Sequence, residues 1–334
     1  MAALHNNKTR RRLLKIIGVA SIGAISGTAL VKLTKEETLK KVTWKGIALG
    51  SPAEITIYHS NQREAENILS DSYKKLVELE NLFSLYNNNS QLSMLNKNGY
   101  LKNPHPDMIE LLNLSKKYAE ITNGAFDITV QPLWHLYNDA FTKTEEPPLD
   151  SEIEYTLNLV DWKSISVDKN IINYEKKGMS STLNGIAQGY ITDKISENLI
   201  NSGINNTLVQ LGEYRGIGDH PDRRPWRLLL SNPEHTDSIG EIEFTNAAVA
   251  TSAGLGTPFD LSGKHHHIFD PKNGYSANNY LQVSVLAKTA AEADALATAF
   301  LILDKKVSKK IATKQKVGFE ILTNQRKRNI ITSI

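Results

Sequence analysis

The sequence predicts an α+β fold, a single domain of mixed sheets and packed helices. Three observations carry this. Segments with strand period and helix period are interspersed without the strict alternation of a doubly wound sheet. No repeat, low-complexity tract or linker interrupts the chain after residue 36. The 334 residues are enough to bury a large core in one or two domains. We divide the chain into an N-terminal segment, 1–36, and a body, 37–334.

In order along the body, residues 53–58 (Ala-Glu-Ile-Thr-Ile-Tyr) alternate in polarity and predict a strand. Over 62–83, Ala65, Ile68, Leu69, Tyr73, Leu76, Leu79, Leu82 and Phe83 recur at helical spacing. A second amphipathic helix is expected over 106–121, stopped by Asn123-Gly124. Residues 138–180 are polar, carry Pro147 and Pro148, and read as loops and short strands. A helix follows over 186–202 and stops at Gly203. Strands are expected at 207–211, 226–230, 241–244, 247–251 and 281–287. An apolar, alanine-rich helix covers 289–303, and a last strand covers 317–322.

The net charge is +3, which invites a nucleic-acid reading. The charge is not evenly spread. Lys8, Arg10, Arg11, Arg12 and Lys15 lie within residues 1–31, which contain no acid. Without them the rest of the chain stands at about −2, so a nucleic-acid partner is not expected. There is no cysteine. That excludes disulfides, thiolate zinc, cysteine-ligated iron–sulfur clusters, a cysteine nucleophile and a lipid-bearing cysteine.

The five basic residues precede a moderately apolar run, Ile16 to Val31. This is the pattern of an export signal, and Arg10-Arg11-Arg12-Leu13-Leu14-Lys15 resembles a twin-arginine signal. The run of 16 residues is shorter than the roughly 20 of a membrane span. No clean small-x-small cleavage site follows it, so an uncleaved membrane anchor is the alternative. Either way the body is expected in the periplasm or on the outer face of the cytoplasmic membrane.

Four stretches stand out from scaffolding. Tyr86 follows the long helix beside an Asn-rich turn, where it would stack on a flat ring or pack on the core. Gly124-Ala125-Phe126-Asp127 combines a close-approach glycine with a carboxylate suited to a heterocycle; a helix cap and turn is the alternative. Asn184-Gly185-Ile186-Ala187-Gln188-Gly189 opens a helix with two glycines, so its N–H groups would face phosphate. Its spacing matches neither a Walker loop nor a dinucleotide fingerprint. His265-His266-His267 leads into Ile268-Phe269-Asp270-Pro271. Neighbouring strand residues point to opposite faces, so three adjacent histidines do not meet one ion. Asp294 and Thr298 stand at i and i+4 on the alanine-rich helix, sharing one face. A carboxylate and a hydroxyl there offer hard ligands to Mg²⁺, or form a polar surface pair.

In this order the segments resemble the ApbE family, the FAD:protein FMN transferases, over roughly residues 40 to 330. The resemblance rests on Ala48-Leu49-Gly50-Ser51, Phe83-Ser84-x-Tyr86 with Asn96, Gly124-Ala125-Phe126-Asp127, Gly185-Ile186-Ala187-x-Gly189-Tyr190, and His267-Ile268-x-Asp270-Pro271-x-x-Gly274 with Asp294 and Thr298. Leu211-Gly212-Glu213-Tyr214-Arg215 and the run from Ala250 to Thr257 are similar to the NosX branch. The resemblance implies a single domain that takes FAD as substrate with Mg²⁺ as cofactor. It implies transfer of FMN to a threonine of an exported or membrane-bound redox protein, with release of AMP. It implies Mg²⁺ on Asp294, Thr298 and carbonyls of Gly185 and Ala187. It implies flavin-nucleotide contacts from Tyr86, Ala125, Phe126, Asp127, Thr182, Gln188 and Ile268. His267 matches a histidine near the reacting phosphate, where it would position groups or pass a proton to AMP; His267 and Asp294 are the expected catalytic pair.

Two departures bear on the site. Many members carry a carboxylate where this chain has Thr182 and a charged side chain where it has Gln188. An acidic residue common three before Thr298 is Ala295 here, so the metal is expected to rest on one carboxylate. The competing functions are FAD hydrolysis to FMN and AMP, and non-catalytic flavin binding or delivery.

Overall fold

In a computed structural model of the chain, residues 39–233 and 237–331 are described. The 1–36 segment, read as a signal or anchor, lies outside them. The chain enters on a hairpin of β1 (Lys40–Ala48) and β2 (Ser51–His59), with Trp44 opposite Ile55. Its turn, Leu49-Gly50, has φ of 49° and 81°, the primed geometry that suits strand twist. The Leu49 N–H donates to the Glu80 carboxylate, which ties the turn to the next helix.

That helix, α1 (Gln62–Phe83), matches the expected 62–83. Asn61 caps it, accepting from the N–H groups of Arg63 and Glu64. Then come α2 (Gln91–Asn98), β3 (Tyr100–Lys102) and α3 (Pro106–Ile121). The stretch 138–180, read as loops and short strands, needs correction. It holds the end of α4 (Gln131–Thr144) and all of α5 (Asp150–Leu157) before the short strands β4 (Ile165–Val167) and β5 (Ile171–Tyr174). These two helices bury few residues, chiefly Leu133, Tyr137 and Ile153, in a small cluster with Phe269. Their apolar period is correspondingly faint.

The second half runs α6 (Ala187–Asn201), β6 (Thr207–Gln210), β7 (Tyr214–Ile217), β8 (Trp226–Ser231), β9 (Ser238–Phe244) and β10 (Ala247–Ala253). It ends with β11 (Gln282–Ala287), α7 (Ala290–Ile302), α8 (Lys305–Gln315), β12 (Gly318–Leu322) and β13 (Arg328–Ile331). The main sheet has eight strands in the order β1-β2-β6-β7-β10-β11-β12-β13, with antiparallel neighbours throughout. β3-β5-β4 and β8-β9 form two smaller sheets. Helices packed on an antiparallel sheet make this α+β, as expected. Among the described residues no helix is long and apolar enough to cross a membrane.

α7 is the centre of the molecule. Apart from Glu292, Asp294 and Thr298 it is apolar around its whole circumference, as befits a helix surrounded by protein. It lies on β10 and β11 and packs against α6 and α3. Its N-terminus is capped twice. Thr289 accepts from the Glu292 N–H, and Asp193 of α6 accepts from Ala290 (2.8 Å) and Ala291 (2.9 Å) while pairing with Arg215 of β7. Gly189 makes the α6–α7 approach possible. A Cβ there would sit 2.3 Å from the Ala290 carbonyl oxygen and 2.7 Å from the Ala291 Cα.

Candidate active site

A cavity of about 1460 Å³ opens where β10, the β6–β7 turn, the start of α6, one face of α7 and the 265–271 loop converge. It exceeds the roughly 300–1,000 Å³ of most small-molecule sites, which suits an extended dinucleotide. Tyr86, Ala125, Phe126, Asp127, Thr182, Gly185, Gln188, His267, Ile268, Asp294 and Thr298 all line it. Ala187 alone of the expected residues does not; it is buried in the first turn of α6.

Tyr86 is not packed on the core. It is 87% exposed at the rim, leaving both ring faces available for stacking. Gly124 serves the helix-end role: its N–H closes α3 on the Ala119 carbonyl. Asp127 is already engaged. One oxygen accepts from the Thr129 N–H (2.8 Å) and hydroxyl (2.6 Å), the other from the Trp162 N–H (3.1 Å). Burial pushes its pKa up to about 6 against those bonds. The segment leading to Gly185 is pinned by Asn96. Its side chain donates to the Ser181 carbonyl and accepts from the Ser181 N–H, both at 2.8 Å, and accepts from the Tyr174 hydroxyl at 2.7 Å.

The two glycines at the start of α6 both serve packing against α7. The Gly189 N–H donates to Asp294 Oδ2 at 3.0 Å instead of facing the cavity. Gly185 lies against Thr298, where a Cβ would be 3.0 Å from the hydroxyl oxygen. Thr298 Oγ1 is in turn 3.2 Å from the Ser252 hydroxyl. Asp294 and Thr298 do share the cavity face of α7, and at 4% exposure Asp294 is no surface group. Burial raises its pKa, against the Gly189 hydrogen bond, and the Asp193 charge adds to the rise.

The three histidines diverge, but they lie in a loop with a single isolated bridge at His266 rather than in the expected strand. His265 pairs with Asp260 at 3.1 Å, and His266 is buried on the Ala277 carbonyl at 2.9 Å. His267 turns to the cavity, with Nδ1 3.2 Å from the Thr257 carbonyl. A carbonyl only accepts, so Nδ1 carries the proton and Nε2 keeps its lone pair. Burial and the neighbouring His266 push the His267 pKa down to about 4, so the ring is neutral at pH 7.

Sequence reasoning missed Glu213 as a wall of this site. The carboxylate is 7% exposed, reaches the cavity from the β6–β7 turn, and accepts from the Thr251 N–H at 3.2 Å. Burial and the nearby Asp294 charge raise its pKa well above the carboxylate range. The sequence showed the residue, but only the pairing of β7 with β10 beneath α7 brings it to Asp294. Another acidic group, Glu78, His105 and Asp107, lies elsewhere. Lys75 bonds Asp107 at 3.0 Å and Glu78 at 3.3 Å, so that group is already compensated.

Known proteins match this arrangement. The model of the ApbE family matches residues 49–323. The FAD:protein FMN transferase of Haemophilus influenzae is 26% identical over 89% of this chain and 92% of its own length. That of Buchnera aphidicola is 27% identical over 88% and 89%. Among solved structures, the ApbE protein from Thermotoga maritima superposes with a TM-score of 0.77 at 27% identity, covering 87% of this chain and 97% of that one. The flavin transferase ApbE from Vibrio cholerae has the same score at 23% identity, covering 88% and 98%. With a family model spanning most of its length and a cavity lined by the residues of the family's motifs, this chain belongs to the ApbE family.

Proposed function

We propose that the protein is a Mg²⁺-dependent FAD:protein FMN transferase that attaches FMN to a threonine of an acceptor protein. One observation carries this: residues from six separate segments, matching the family's motifs, line one cavity that joins a rim aromatic to the Asp294–Thr298 pair. The names of the relatives support the same reaction.

The chain's own residues fit a hard cation. Asp294 and Glu213 are buried carboxylates, and among the described residues neither has an ion-pair partner. Buried carboxylates without a counter-charge favour a proton or a cation beside them. The Thr298 hydroxyl and the Gly185 backbone complete an oxygen-rich corner, where a Cβ at Gly185 would come within 3.0 Å of the Thr298 hydroxyl oxygen. Asp294 and Thr298, with the Gly185 carbonyl, would hold Mg²⁺; the resemblance adds the carbonyl of Ala187, which lies behind the cavity wall in the first turn of α6. When bound it neutralises charge on the phosphate oxygens.

In the reaction, the acceptor hydroxyl oxygen bonds the FMN phosphorus as the bond from that phosphorus to the bridging oxygen breaks. AMP leaves with that oxygen and its electron pair. A phosphate second pKa near ~6 means AMP needs no strong acid to depart at pH 7. We assign His267 the other proton. Its neutral ring, held by Thr257, presents Nε2 as the acceptor for the hydroxyl hydrogen. Tyr86 and Phe126 provide apolar surface for the isoalloxazine, while Ala125, Asp127, Thr182, Gln188 and Ile268 shape the nucleotide's path.

The twin-arginine-like stretch Arg10–Lys15 supports work outside the cytoplasmic membrane, through export or N-terminal anchoring. The Leu211–Arg215 likeness supports a NosX-like acceptor in a membrane-associated redox chain. The test is the intact mass of an acceptor fragment carrying the target threonine, after incubation with the full chain, FAD and Mg²⁺. A gain of one FMN supports transfer. AMP without a gain indicates hydrolysis, and bound FAD with neither product indicates a carrier.

A further inference from the structure

We propose that Glu213 is the second carboxylate of the cation site, sharing one divalent ion with Asp294 and Thr298. The proposal rests on the reading of Asp294 and Thr298 as metal ligands. Glu213 is more than nine-tenths buried yet lines the cavity. One of its oxygens accepts from the Thr251 N–H; the other has no hydrogen-bond donor among the described residues. The next residue of β10, Ser252, lies 3.2 Å from Thr298 Oγ1. Glu213, Ser252, Thr298 and Asp294 therefore border one corner of the cavity. Asp294 leaves a free oxygen in the same way, since only its Oδ2 is engaged, by Gly189.

Among the described residues, no positively charged side chain is paired with either acid at that corner. Gln188 of α6 reaches the β6–β7 turn. Its amide lies 2.7 Å from where a Cβ on Gly212 would be. It is neutral. Arg215, two residues on, is committed to Asp193. Two buried acids, each with an oxygen free, then face a cavity whose lysines, Lys97, Lys176 and Lys177, make no ion pair with either acid among the described residues; Lys176 lies instead 3.7 Å from Asp161. Separate buried carboxylates are tolerated when an ion from outside bridges them. Glu213 also replaces what Ala295 removes from α7: a second acidic ligand, delivered from the sheet instead of the helix.

The test is cation binding by the full chain without FAD. Mg²⁺ titration by calorimetry and Mn²⁺ titration by loss of the free-ion EPR signal are run on the wild type, Glu213→Gln and Asp294→Asn. The amide keeps the volume of Glu213 and an acceptor for Thr251. We expect Glu213→Gln to weaken both cations by about 10- to 100-fold, and Asp294→Asn to abolish binding. Melting provides a second readout. Without metal, Glu213→Gln melts no lower than the wild type; with metal, it gains less. Wild-type affinity in Glu213→Gln, with loss in Asp294→Asn, overturns the proposal and leaves the Asp294 site standing. Wild-type affinity in Asp294→Asn instead refutes the metal reading on which the proposal rests. Lower melting of Glu213→Gln without metal, with a full gain on adding it, makes Glu213 structural and also overturns the proposal. Should the amide fail to fold, Glu213→Ala in the same titrations decides between the same results.

Discussion

Gly189→Ala probes the contact on which the site depends. The added methyl would lie 2.3 Å from the Ala290 carbonyl oxygen, 2.5 Å from its carbon and 2.7 Å from the Ala291 Cα. These are backbone atoms in the first turn of α7, held by hydrogen bonds to Asp193, so no side chain can swing aside. Relief to ordinary contact near ~3.4 Å moves α6 from α7 by about 1 Å, a typical overpacking cost of ~1–3 kcal/mol or more. Alanine returns up to ~1 kcal/mol of helix propensity. The net loss is about 2 kcal/mol, or ~4–6 °C in Tm for a domain of this size. The same shift takes the Gly189 N–H away from Asp294, so the Mg²⁺-induced rise in Tm shrinks as well. Paired melts with and without Mg²⁺ read both effects. A variant within 1 °C of the wild type in both (about 0.5 kcal/mol) would refute the close α6–α7 contact and its link to the metal corner.

Other expectations follow from the same geometry. Asp193→Ala removes two N–H acceptors from α7 and strands half-buried Arg215; urea unfolding should show a loss of roughly 2–4 kcal/mol, and a loss under ~1 kcal/mol contradicts the cap. His267 has a folded pKa depressed to about 4, so between ~6.5 and 4 the unfolded chain takes up a proton that the folded ring does not. Stability therefore falls on acidification through that window, and more gently in His267→Gln; equal slopes would show that the ring is not shielded. Tyr86→Ala should change stability by less than ~0.5 kcal/mol because the ring is exposed, while FAD dissociates up to ~10-fold more readily. Unchanged FAD affinity by fluorescence titration removes the stacking role.

What the sequence revealed tracks how much each segment buries. α1 was legible because Leu69, Leu76 and Leu79 bury one continuous stripe. α7 was legible because nearly every residue is apolar. β1 was not, since it buries only Val42, Trp44 and Ala48 among exposed lysines. α8 was missed for a related reason: its only buried residues are Ser308 and Ala312, under a run of lysines. In the site, Asp294 and Thr298 were readable from i,i+4 spacing within one helix. The protonation of His267 was not, because it depends on the Thr257 carbonyl ten residues away. Glu213 was visible as a motif letter but not as a neighbour of Asp294, because that contact needs three elements in register.

The most direct measurement of the central claim is a single-turnover stoichiometry. The full chain, in excess over FAD, is mixed with Mg²⁺ and a threonine-bearing acceptor, and AMP released is compared with FMN attached. Transfer within this cavity predicts one AMP for each FMN on the acceptor, and neither product from Asp294→Asn. AMP in clear excess of attached FMN, or full turnover by Asp294→Asn, would contradict it.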